Sequence, residues 1–250
     1  MSHPFPFSQA RSGELPPGWR PLVILRDRQP TDYRIVLDGQ LPVLHARADH
    51  ASSALMHTLQ VDPMQTSWLS WRWKIKDVGA LDGSTPAERG SPVRIVLGFD
   101  GDKDSLPFGE QILFETAKLI TGHDFPYATL MYVWAEDLAP GTVIHSRHSS
   151  RIRMMVAESG MQGVGSWRRF SRNIVEDFER AFGEKPKALI GLGVLTDDGP
   201  SEAPTEAWYG DVELSGHEPA EAAAARPTIQ LGIFRSAVPN SSPPAAADHH

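Results

Sequence analysis

Eight side chains, Arg72, Lys74, Arg94, Tyr132, Trp134, Arg153, Tyr209 and Asp211, sit in runs of β-forming residues, each one position out of step with an apolar neighbour. A strand sends alternate side chains to opposite faces. If each apolar row faces a core, these eight share the opposite side and form an aromatic, mainly cationic surface. Flat rings stack on the C–H faces of a sugar, and guanidinium forks donate to hydroxyls or carboxylates. The expected chemistry is therefore non-catalytic binding of a saccharide or another small ligand, including an anionic one such as a uronate-containing glycan. Arg72, Lys74, Arg94 and Arg153 would contact oxygens while Trp134 and Tyr132 stack.

The same residues admit other readings. In a polysaccharide lyase the arginines would neutralise a uronate and acidify its C5 proton, with Tyr132, Tyr209 or His145 exchanging that proton. A glycoside hydrolase needs two opposed carboxyls, and Asp211 and Glu213, neighbours on one strand, are poor partners for that role. A module that binds only proteins is a further alternative. The structural reading places Tyr132 and Trp134 under a helix and pairs Arg72 or Arg153 with Asp211 or Glu213. No periodicity says which strands share a sheet.

Asp100, Asp102 and Asp104 at alternate positions could present oxygens to calcium, but an EF-hand loop needs Gly at its sixth position and Glu at its twelfth, where Ser105 and Gln111 stand. A solvated acidic turn is the preferred reading, and no metal site or cofactor is expected. There is no G-x-S-x-G elbow, H-E-x-x-H helix or P-loop. GLG at 191–193 lacks the third glycine of a dinucleotide fingerprint. His145, Arg147 and His148 fall in one loop, where exposed imidazoles are usually uncommitted.

The elements that would position these residues are mostly strands. In SWLSWRWKI, residues 67–75, Leu69, Trp71, Trp73 and Ile75 share one face and Trp68, Ser70, Arg72 and Lys74 the other, so Trp71 and Trp73 are expected in the core. Strands are also expected at 22–25, 33–37, 43–46, 54–59, 93–99, 129–135, 151–157, 188–195 and 207–214. In these, Met131 and Val133, Ile152, Met154 and Val156, and Val212 and Leu214 are assigned to the core. Two helices are predicted. FGEQILFETAKLITG has apolar residues at 112, 113, 119 and 120 and ends at Gly122. In NIVEDFERAFGEKP, Asn173 can cap, Glu176 lies three residues on, and Ile174, Phe178 and Phe182 form a stripe. Residues 1–19 read as a flexible leader, 20–215 as one domain, and 216–250 as an Ala/Pro-rich tail with one docked strand at 228–234.

With 24 basic and 31 acidic residues among 250, the net charge of −7 argues against nucleic acid as a partner. No cysteine is present, which excludes disulfides, thiolate metal sites and a Cys nucleophile. No membrane span is expected, and oligomeric state is left open.

Several strings together, TDYRIVLDG, LSWRWKI, ATLMYVWA, RIRMMVAESG, SWRRFSRNIVEDFERAFGEKP, GVLTDD and AWYGDVELS, resemble the DUF3047 family of bacterial proteins, in order over about residues 20–215. The resemblance implies an all-β-dominated, jelly-roll-like β-sandwich with two short helices, similar in outline to carbohydrate-binding modules. In such modules an Asp of the closing strand can help hold calcium, a role that would fall to Asp211. It also implies a soluble bacterial protein, cytoplasmic as it stands and periplasmic if an export signal has been removed. The sequence departs from the family pattern at ERGSP, before the 93–99 strand, and at GPSEAPTEA after LTDD.

Overall fold

A computed structural model describes residues 4–23, 28–77, 91–198 and 204–220. One sheet contains β1 (Trp19–Leu22), β4 (Ser52–Val61), β6 (Arg94–Phe99), β7 (Ala128–Ala135), β8 (Val143–His145), β9 (Ile152–Ser159) and β11 (Leu189–Asp197). Its order is β1-β4-β11-β6-β7-β9-β8, antiparallel except where β7 and β9 run parallel. The second sheet contains β2 (Asp32–Asp38), β3 (Leu41–Ala48), β5 (Trp68–Ile75), β10 (Arg168–Asn173) and β12 (Thr205–Tyr209), ordered β10-β5-β12-β3-β2, and β13 (Glu213–Ser215) also pairs with β5. Two helices, α1 (Phe108–Thr121) and α2 (Ile174–Phe182), complete a sandwich of the expected class.

β5 behaves as its alternation predicts: Leu69, Trp71, Trp73 and Ile75 are buried, and the residues between them are half-buried on the outer face. Across the sandwich, Trp71 stacks on Tyr132 of β7 with ring centroids 4.8 Å apart, and its other neighbour, Phe170 of β10, lies at 5.1 Å. These rings join the two sheets, and burial of each contributes about 2 kcal/mol or more. A polar clasp joins them at another point. Tyr33 of β2 donates to the carbonyl of Ser53 on β4 (2.7 Å), while Tyr209 of β12 donates to the carbonyl of Leu195 on β11 (2.9 Å).

α2 forms as its sequence dictates. The Asn173 side chain accepts from the amides of Val175 and Glu176, and Gly183 closes the helix at φ 74°. Ile174 and Phe178 are buried, the latter against Phe99 at 4.6 Å.

Three expectations need correction. The amino-terminal stretch is not a loose leader over its described part: Phe7 is fully buried against Trp19, and Ser8 bonds through its amide and hydroxyl to Asp211. The face assignment of β7 and β9 is inverted. Tyr132, Trp134 and Met155 lie in the main core, while Val133, Met154 and Val156 pack in a second apolar cluster on the outer side of that sheet. Both faces of β7 are covered, so both its rows are largely apolar and its alternation carries no direction, while on β9 Arg153 shares the row of the core residue Met155. The predicted 207–214 strand is broken at Gly210, which is why Tyr209 and Val212, of opposite parity, are both buried. Part of the predicted 22–25 strand and all of the 228–234 strand lie outside the described residues.

Candidate functional site

The eight residues of the predicted face do not form one surface. Tyr132 and Trp134 are fully buried: the phenol donates to Asp177 of α2 at 2.7 Å, and the indole donates to the carbonyl of Gly160 at 3.0 Å. Asp177 is also gripped by Arg172 through both carboxylate oxygens. Burial and then the neighbouring carboxylate push the Tyr132 phenol far above its ordinary range, and the ring has no surface open to a ligand. Burial likewise pushes the Tyr209 phenol up. Both phenols are fully buried, so neither is placed where the lyase reading would need it. Tyr132→Phe is expected to cost about 1–2 kcal/mol by removing a buried hydrogen bond, read as a lowered urea midpoint with an unchanged m-value.

Arg94 is buried on β6 and paired with Asp197 at 2.7 Å. Arg153 lies on β9 beside the Phe182 ring, 5.7 Å from its centroid. The Asp211 carboxylate accepts from the amide and the hydroxyl of Ser8. Among the described residues no group of three or more His, Asp or Glu side chains is placed to hold a metal ion; Asp102 caps a short turn through the Asp104 amide. His145 ends β8 in an exposed position.

Arg72 and Lys74 do lie together, on the outer face of the six-stranded sheet, and there the structure gathers a different set. The registers place Lys74 opposite Trp208, Trp208 opposite His45, and His45 opposite Arg34. One row thus crosses β5, β12, β3 and β2. The Lys74 ammonium sits 4.8 Å from the Trp208 ring centroid and 5.2 Å from that of Trp167, the residue preceding β10. The Arg72 guanidinium carbon lies over the Trp167 ring, 4.7 Å from its centroid, and its charge also acts on Asp38.

Asp38 holds this cluster in place. Its carboxylate accepts from the Lys74 ammonium at 2.9 Å and from the Trp167 indole at 2.6 Å, and those bonds keep its pKa below the ordinary value. His45 is fixed by Glu206 at 3.1 Å and touches the Trp208 ring at 5.2 Å. Beside Trp208 and His45 an open groove of about 430 Å³ runs along Arg34, Ile35 and Val36 to the turn at Ser12 and Gly13.

Gly210 makes the position of Arg72 possible. A Cβ there would stand 2.2 Å from the Arg72 Nε, inside any van der Waals contact. Gly210→Ala is therefore expected to displace Arg72 from Trp167, altering indole fluorescence and weakening ligand binding about tenfold.

Trp208 and Trp167 were missed by the sequence reading, as were His45 and Arg34. Glu206, two positions before Trp208 and on the same face, was the available signal that this row meets water. Trp167 precedes its strand, so no period reports its direction.

Comparisons place the chain in context. The model of a family described as a protein of unknown function (DUF3047) matches residues 17–213. Among curated proteins none is similar in sequence. The chain is similar to solved structures that include these three. The xyloglucanase domain of a type three effector from Sinorhizobium fredii, in complex with cellobiose, is 8% identical, with 84% of this chain and 97% of that one covered and a TM-score of 0.44. An endoglucanase from Rhodothermus marinus is 9% identical over 81% and 93%, with a TM-score of 0.42. A family 30 carbohydrate binding module is 14% identical over 83% and 84%, with a TM-score of 0.38. Among the described residues no helix is long and apolar enough to cross a membrane.

Proposed function

We propose a function from the premise that this chain belongs to the DUF3047 family: the outer face of the six-stranded sheet binds a saccharide in the groove beside Trp208, without turning it over. The observation that carries this reading is the row Trp208, His45 and Arg34, which brings a ring, an imidazole and a cation to one open groove, with Lys74 next to Trp208 in the same row. A pyranose stacks its C–H face on the Trp208 indole, and Arg34 and His45 meet its hydroxyls. Arg72, over the Trp167 ring, extends the surface toward an acidic sugar.

Binding is favoured over hydrolysis because the residues lining this groove contribute no pair of opposed carboxyls. The test is a glycan array at two salt concentrations together with an absorbance assay for unsaturated uronate ends. Retention of an oligosaccharide without new double bonds supports the reading, and weaker retention at high salt assigns an anionic glycan. Turnover would contradict it, and silence in both assays would favour a protein-interaction module instead.

A further inference from the structure

α1 is inverted relative to an ordinary surface helix. Phe108, Ile112, Leu113, Leu119 and Ile120 are all exposed, Phe108 by 76% and Leu119 by 84%, and none of the fourteen residues of the helix is buried. At 100° per residue these five fall within an arc of about 140°, with Gly109 and Thr116 between them and no charged residue inside it. The half-buried positions are Glu110, Gln111, Phe114, Ala117 and Thr121.

Polar bonds fix this orientation. The Glu110 carboxylate accepts from the Ser149 hydroxyl at 2.7 Å and the Ser150 amide at 2.5 Å, and the Gln111 amide donates to the carbonyls of Asp104 and Leu106. The helix is thus anchored by its polar side and presents its apolar side outward.

We propose that this face is the contact through which two copies of the chain pair about a two-fold axis, α1 against α1. A side chain of this size exposes ~200 Å² when fully open, so the five leave about 600 Å² of apolar surface per copy, at the top of what monomers show. Complete burial of two such faces removes at most about 1,200 Å², the lower bound of a specific interface. A face without charge is complementary to itself, as a two-fold contact requires. Nothing on it attracts an anionic lipid surface, from which the net charge of −7 repels the chain.

Sedimentation equilibrium of the full chain between ~1 and ~100 µM should show a dimer, and Phe108→Glu with Leu119→Glu should raise its dissociation constant at least ~100-fold. Both side chains are exposed, so an unchanged melting temperature confirms that the variant folds. Thr116 is exposed at the centre of the arc, and the chain has no cysteine, so Thr116→Cys should oxidise to a cross-linked dimer. A wild type that stays monomeric over this range, or a dimer that survives the double substitution, would overturn the proposal. So would a monomer that binds phosphatidylcholine vesicles through the same two residues, which would assign the face to a membrane.

Discussion

Trp208→Ala is expected to weaken oligosaccharide binding about 30- to 100-fold while leaving the protein folded. The indole is half-buried on the outer face, with Lys74 over its ring and His45 at its side, and it borders the groove. Stacking on a sugar removes apolar area from both partners and adds an aromatic contribution, about 2–3 kcal/mol together, which corresponds to the stated loss. The indole contributes little to the core, so its removal should lower the melting temperature by only a few degrees. Isothermal titration calorimetry and a thermal melt on the same sample separate the two effects. Unchanged affinity would remove Trp208 from the site.

Trp71→Ala should produce the opposite pattern. This indole lies between Tyr132 and Phe170, with Trp73 at 5.6 Å, at the meeting of the two sheets. Its removal leaves a cavity where no outer residue can collapse, at a cost of about 3–5 kcal/mol. For a domain of this size that lowers the melting temperature by roughly 10 °C. Any fraction that remains folded should bind with wild-type affinity. A variant melting within a degree or two of wild type would contradict the assignment of this row to the interior.

The contrast between these tryptophans shows where alternation can be read. On β5 the row Ser70, Arg72 and Lys74 is polar or charged, so one face is marked as wet and Trp71 and Trp73 follow as core. On β7 the residues from Tyr132 to Ala135 are all buried, and alternation cannot say which row faces the other sheet. Size is a better guide there: the large rings Tyr132 and Trp134 fill the space between sheets, while Val133 meets the thinner outer cluster. On β12 the break at Gly210 reverses the parity, so Tyr209 falls inside although Leu214, read back in steps of two, would place it outside. The arginines mislead for a related reason. Arg94 is polar and nevertheless buried, satisfied by Asp197, a partner 103 residues away that no local pattern reveals.

The site was legible only in part. Arg72 and Lys74 lie on the outer face that the alternation of β5 predicts. Trp208, His45 and Arg34 come together only through cross-strand register, which depends on three pairings, two of them between strands distant in sequence. The family match concerns residues 17–213 and leaves function undefined, so the groove has to be argued from its own side chains.

The most direct test is a heteronuclear NMR titration with an oligosaccharide retained on the array, following the indole N–H signals of the seven tryptophans. The signals of Trp208 and Trp167 should shift with saturation, while those of Trp71, Trp73 and Trp134 stay in place. Shifts confined to the interior indoles, or a bound glycan that leaves Trp208 untouched, would contradict the placement of the binding face on the outer side of the six-stranded sheet.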